Sequence, residues 1–229
     1  MNSLIVFYNS SIGKKIFMSL SGLFLCIYLI VHLGGNLLLL RNDGGRLFDM
    51  YAEFMSSNPI IRIIEIILFA SFILHILSGL IVWLKNRRSR PEKYEVYKLS
   101  ETVPLASRNT MLTGSLVFIF LVIHLRDFWV PTRFGTEEHS MYQTVRQAFQ
   151  SPLYDMFYVV AVVLLAYHLR HGFQSAFQTL GLRGKRYEGF LDLVAMIFWL
   201  VIPLGFAAIP TYIYFFGTLG PSAIVMGAH

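Results

Sequence analysis

The chain has 229 residues, 55% of them hydrophobic and 14% charged, with a formal net charge of +6 and a mean hydropathy of +0.59. A soluble domain carries about 25% charged residues; here the charges are bunched between long apolar runs, which excludes a soluble globular domain and marks a membrane protein. The basic residues cluster beside those runs as topology determinants, so no nucleic-acid partner is expected.

Five apolar runs follow one another. The first, about 16–40, comes after Lys14 and Lys15. It is too long for a signal h-region and has no clear small-residue cleavage site, so it is expected to span as a helix. It holds His32 and the single cysteine, Cys26, which has no disulfide partner and is read as core. The second run, about 62–84, holds Glu65 and His75; the third, about 109–130, holds His124; the fourth, about 153–180, holds His168 and His171. The fifth, about 190–216, contains Pro203 and Pro210, where a kink or an early end is expected. Each run reaches the roughly 20 residues that ~30 Å of hydrocarbon requires, and a backbone in lipid must satisfy its own hydrogen bonds. The expected architecture is therefore all-α: one transmembrane domain over 1–229, a bundle of five helices joined by loops.

Orientation follows from lysine and arginine. With the N-terminus inside, twelve lie in inner segments, most densely in 85–108, against six in outer ones. That bias places the N-terminus in the cytoplasm and the C-terminus outside.

Of seven histidines, His139 and His229 lie in an outer segment and at the chain end, whereas His32, His75, His124, His168 and His171 are intramembrane. Ionisable groups there are costly and usually functional. One buried histidine alone suits a neutral ring bonded to a carbonyl, but the set is ordered. At ~1.5 Å per residue, His32 and His124 fall near the outer side and His75 and His168 near the inner side, two pairs roughly 10–15 Å apart in depth. Two imidazoles facing at one depth suit the axial positions of a planar haem, and helical bundles commonly build cofactor sites this way. A zinc site wants three or four clustered ligands, which two separated pairs do not offer.

Local words support the pairing. Val31-His32-Leu33 matches Ile123-His124-Leu125, each with a glycine ten residues earlier, Gly22 and Gly114. His75 with Gly79 and His168 with Gly172 share His-x-x-x-Gly, so spans 1–2 weakly repeat in spans 3–4. The i+4 glycine shares a face with its histidine and leaves room for a porphyrin edge; close helix packing is the plainer alternative. The repeat selects His168 over His171, leaving His171 as a donor to a haem propionate or an inner-surface residue. Arg108 and Arg170 are placed to meet propionates of an inner haem and Arg126 those of an outer one, with snorkelling as the alternative.

From Gly22-Leu23-Phe24 through Ile30-Val31-His32-Leu33 with Asn36, then His75, His124-Leu125 and His168 with Gly172, the chain resembles the single-chain, five-helix, two-haem cytochrome b anchors of succinate dehydrogenases and fumarate reductases. The likeness runs from about residue 12 to 216. It implies two haem b groups, His75 and His168 on the proximal one and His32 and His124 on the distal one. It also implies an FAD flavoprotein and an iron–sulfur subunit on the cytoplasmic face of a bacterial inner membrane, and a lipid quinone, usually menaquinone, as substrate. Some fumarate reductases of this group have a glutamate two residues before the span-4 ligand; here that residue is Ala166, so that proton path is not carried over. Glu65 is the nearest intramembrane acid, a proton relay or a paired structural residue. Quinone-site candidates are Asn36, Glu53, Arg126, Asp127 and Trp129, groups that equally suit a wet polar rim. The rival readings are another two-haem cytochrome (ascorbate-reducing or hydrogenase-linked), a haem-free proton-coupled transporter, and an anchor that has lost its haems.

Overall fold

The computed structural model describes Val6 and residues 10–88, 109–135 and 140–217, and every regular element among them is helical. In chain order these are α1 (Ser11–Asn36), α2 (Arg46–Ser57), α3 (Pro59–Arg88), α4 (Thr110–His124), α5 (Val130–Phe134), α6 (Met141–Ala148), α7 (Pro152–Thr179), α8 (Glu188–Met196) and α9 (Ile202–Phe216). Five continuous helical stretches are long and apolar enough to cross a membrane: Ile12–Leu40, Pro59–Arg88, Thr110–Phe134, Pro152–Thr179 and Glu188–Phe216. Large apolar side chains stand exposed along them, Ile66 at 70% and Leu204 at 59% among them. Such surface is costly in water and suited to lipid.

The second stretch begins three residues before the apolar run does. Asn58 caps it, its Oδ1 accepting from the N–H of Ile60 at 2.9 Å, and Pro59 takes the first turn, where its missing N–H costs nothing. At the other end the helix outlasts the apolar run, and Lys85, Arg87 and Arg88 sit in its last turn, against the negative end of its dipole.

The connections between the first and second spans and between the third and fourth are not simple loops, which corrects the expectation. α2 starts after Gly44 and Gly45, both at positive φ, and Asp43 caps it by accepting from the N–H groups of Gly45 and Leu47. Ser140 caps α6 by accepting from Gln143 N–H. The two short helices are tied together through Asp49, which accepts from Ser140 Oγ at 2.6 Å and from Tyr142 N–H at 2.8 Å. Both are too short and too polar to register as apolar runs, yet each buries one anchor, Phe48 and Val145.

The prolines act through register. Pro203 follows a π-helical turn, Ile197–Val201, and Pro131 follows another, Leu125–Trp129. In each case the proline lacks the N–H that would reach the carbonyl four residues back, and the wider turn lies over that stretch. Pro210 lies inside α9 without ending it, so the early end expected there does not occur.

The chain divides into two compact units. Unit 1 comprises segments within 1–28, 66–115 and 165–200, and unit 2 those within 29–65, 116–164 and 201–229. Unit 1 buries Ser19, Ser21, Cys26 and Ser78 together with Phe173 stacked on Phe198 at 5.0 Å. Unit 2 is held by a cluster of Leu39, Phe48, Val145, Phe149, Tyr158, Ile209 and Ile213, in which α2 and α6 take part.

Candidate functional site: two facing histidine pairs

In unit 1, His75 of α3 faces His168 of α7, with ring centroids 6.2 Å apart and planes at 80°. His75 Nδ1 lies 3.1 Å from the carbonyl of Met18 on α1 and donates to it, which leaves Nε2 as the lone-pair nitrogen. His168 Nδ1 is buried, and the ring lies against the backbone of Thr110 at the start of α4. Both rings lie against glycine. A Cβ on Gly22 would stand 3.0 Å from His75 Cε1, and one on Gly114 would stand 3.1 Å from His168 Cε1. These glycines precede His32 and His124 by ten residues in sequence, but they give His75 and His168 their space. Around Gly172 nothing lies within 4 Å of where a Cβ would be, and at Gly79 only Met18 Sδ comes near, at 3.7 Å.

In unit 2, His32 of α1 faces His124 at the end of α4, with centroids 5.7 Å apart and planes at 87°. Phe206 lies over His32 at 5.5 Å, and Phe120 and Phe128 flank His124. Asn36 Nδ2 donates to the His32 carbonyl at 2.7 Å and lies 3.4 Å from His32 Nδ1. His124 Nδ1 is 3.2 Å from the Tyr158 hydroxyl, Tyr158 is 3.2 Å from the Tyr154 hydroxyl, and Tyr154 donates to Asp127 Oδ2 at 2.7 Å. The π turn after His124 carries Asp127 and Trp129, and an extra residue in a turn re-aims the side chains beyond it.

These residues fit a planar tetrapyrrole with two axial imidazoles. Two rings bound through nitrogen to one metal from opposite sides, at roughly 2 Å each, have centroids about 6 Å apart. Both pairs have that spacing, and near-perpendicular planes can share the axis joining them. Among the described residues no group of three or more His, Cys, Asp or Glu side chains comes together as a metal-ion site; a group held by either pair would have two protein ligands. A tetrapyrrole brings the other four nitrogens itself. The Met18 carbonyl and the Tyr158 hydroxyl each engage Nδ1 of their histidine, the kind of partner that a metal-ligating imidazole would need on its second nitrogen.

The remaining predicted residues disperse. His171 is partly buried on α7, three positions beyond His168. Arg170 is exposed, with its guanidinium 5.1 Å from the Trp199 ring centroid in a cation–π contact. Arg108 lies outside the described residues. Of the quinone-site candidates, Glu53 is exposed on α2, and Arg126 is 81% exposed with its Nε 3.9 Å from Asp127. Trp129 is committed elsewhere: its Nε1 donates to Glu65 Oε1 at 2.6 Å. Glu65 is a paired residue, taking Arg62 at 2.6 Å and Arg133 at 2.7 Å on Oε2.

Two residues of the site escape the sequence reading, Tyr154 and Tyr158. Their one visible signal is a pair of phenols at i, i+4 inside an apolar run, where each hydroxyl needs a partner. Compared with known proteins, the chain matches no family model, no curated protein and no solved structure, so the histidine geometry stands on its own.

Proposed function

We propose that this chain is the haem b membrane anchor of a succinate:quinone oxidoreductase, carrying electrons between a cytoplasmic iron–sulfur subunit with its FAD flavoprotein partner and a membrane quinone, menaquinone in type. The observation that carries the reading is the meeting of the four histidines in two facing pairs at ligand spacing. His75 and His168 hold one haem, and His32 and His124 hold the other; each haem supplies one-electron carriage when bound. The chain's own part is to fix the imidazole orientations and to keep the surroundings apolar, so that charge change at the haem is little screened by water. Of the quinone-site candidates, Glu53, Arg126 and Asp127 keep accessible polar atoms, while the Trp129 N–H is tied to Glu65.

The test is a dithionite-reduced minus oxidised spectrum with a pyridine haemochrome assay on the purified protein. Two b haems per chain are expected. A well-folded protein without haem removes the cytochrome reading and favours a histidine proton relay. Copurification with succinate-oxidising subunits separates the anchor from other two-haem cytochromes.

A glycine variant gives a sharper expectation. In Gly114→Leu the new side chain occupies the place of the His168 imidazole, so haem content falls from two to one per chain while far-ultraviolet circular dichroism keeps its helical amplitude. Gly114→Ala, whose single methyl needs a shift of a few tenths of an ångström, retains both haems with an altered band for one. Two full haems in the leucine variant would show that Gly114 does not set the ring position.

A further inference from the structure

The hydrogen-bonded line from His124 through Tyr158 and Tyr154 to Asp127 has only one consistent arrangement of protons. A carboxylate accepts and does not donate, so the single Tyr154 hydroxyl proton goes to Asp127 Oδ2 at 2.7 Å. Tyr154 oxygen then has only lone pairs for Tyr158, whose proton must point to it across 3.2 Å. Tyr158 oxygen in turn has only lone pairs for His124 Nδ1, 3.2 Å away, so Nδ1 carries a proton and donates. The line fixes one tautomer and leaves the lone pair of His124 on Nε2.

We propose that Tyr158, Tyr154 and Asp127 form a positioning relay that sets the reduction potential of the haem held by His32 and His124. This rests on the haem reading above. A histidine whose second nitrogen donates into a chain ending on a carboxylate is a more basic ligand. A more basic axial ligand favours the oxidised, more positive iron, so the relay lowers that haem's potential. The burial of Tyr158, 6% exposed in the unit 2 aromatic cluster, keeps the line from being broken by water. The other pair meets neutral backbone instead of a line ending on a carboxylate: His75 donates to the Met18 carbonyl, and His168 lies against the backbone of Thr110. The two haems are thereby made unequal by hydrogen bonding, independently of their ligand type.

The experiment is potentiometric titration of the haem-loaded full chain as wild type, Tyr158→Phe and Asp127→Asn. Phenylalanine keeps the ring in its aromatic packing and removes the hydroxyl, which is both the acceptor of His124 and the donor to Tyr154. The reduction equilibrium of the His32–His124 haem is expected to shift about tenfold toward the reduced form in Tyr158→Phe, about 59 mV for one electron. Asp127→Asn, which keeps an acceptor and loses the charge, shifts it the same way by less. The His75–His168 haem stays within twofold in both. If Tyr158→Phe sheds a haem, Asp127→Asn decides, because it touches neither ligand. Two haems with both potentials unmoved in Asp127→Asn and Tyr158→Phe would overturn the relay alone; a wild type without haem would overturn the relay and the haem reading together.

Discussion

His32→Ala and His124→Ala each leave one haem per chain, and the same one, while His75→Ala and His168→Ala each leave the other. His171→Ala keeps both. The expectation comes from the pairing: each metal would have two protein ligands on opposite faces, and loss of either leaves a single axial bond. A missing supporting partner alone costs 10–100-fold in metal affinity, and loss of a direct ligand costs more. The count is read by pyridine haemochrome against protein, and identity by redox titration of the survivor. The grouping is the informative part. A result in which His32→Ala and His75→Ala lose the same haem would break the pairing, whatever the total. Loss of a haem from His171→Ala would make His171, not His168, the ligand on α7.

Glu65→Ala lowers the thermal unfolding midpoint of the detergent-solubilised protein by roughly 10 °C. Glu65 is where α3 and the stretch around α5 are held together, with Arg62, Arg133 and Trp129 converging on one carboxylate. Glu65 and Arg133 are each 18% exposed in their side chains, so this pair is only partly screened; Arg62, at 41%, contributes less. Removing the carboxylate takes the anion from two guanidinium groups in a partly buried place, Arg133 keeping its bond to the Ser56 carbonyl, a cost of about 3 kcal/mol. Glu65→Gln keeps an acceptor for Trp129 and loses the charge, so it falls between alanine and wild type. Arg133→Ala, which leaves Glu65 its contact with Arg62, is milder than Glu65→Ala. A midpoint within about 2 °C of wild type in Glu65→Ala would show that the cluster adds little to stability.

The five spans and the histidine pairs are legible in the sequence because lipid leaves few options. An apolar run of sufficient length must be helical, and a histidine inside one is costly enough to need a purpose. If successive helices cross in opposite directions, the histidines are expected to fall into two pairs without any knowledge of packing, and the rings do meet in those pairs. Sequence spacing does not reveal contact between helices. Gly22 and Gly114 stand out by their position ten residues before His32 and His124, but the rings they accommodate belong to the next span, His75 and His168. The His-x-x-x-Gly word points to Gly79 and Gly172 instead, where space is open and no ring is seated. Tyr154 and Tyr158 look like ordinary aromatic packing until the π turn brings Asp127 to them from another helix. Glu65 could be a relay or a pair from sequence, because its second arginine and its tryptophan lie more than sixty residues along the chain. α2 and α6 are hidden for a different reason: capping and one buried anchor each make them helical, not an apolar run.

The two facing pairs also set a timetable for biosynthesis. His124 comes 92 residues after His32, and His168 comes 93 after His75. At a ribosomal rate of about 5–20 residues per second, each second ligand emerges roughly 5–20 s after its partner. During that interval a prosthetic group could be gripped from one face only. His124 precedes His168 in the chain, so the His32–His124 site can close while the ribosome is still making α7. A group held by both rings of a pair would therefore be gripped on two faces only after α4 has been made for one pair and α7 for the other.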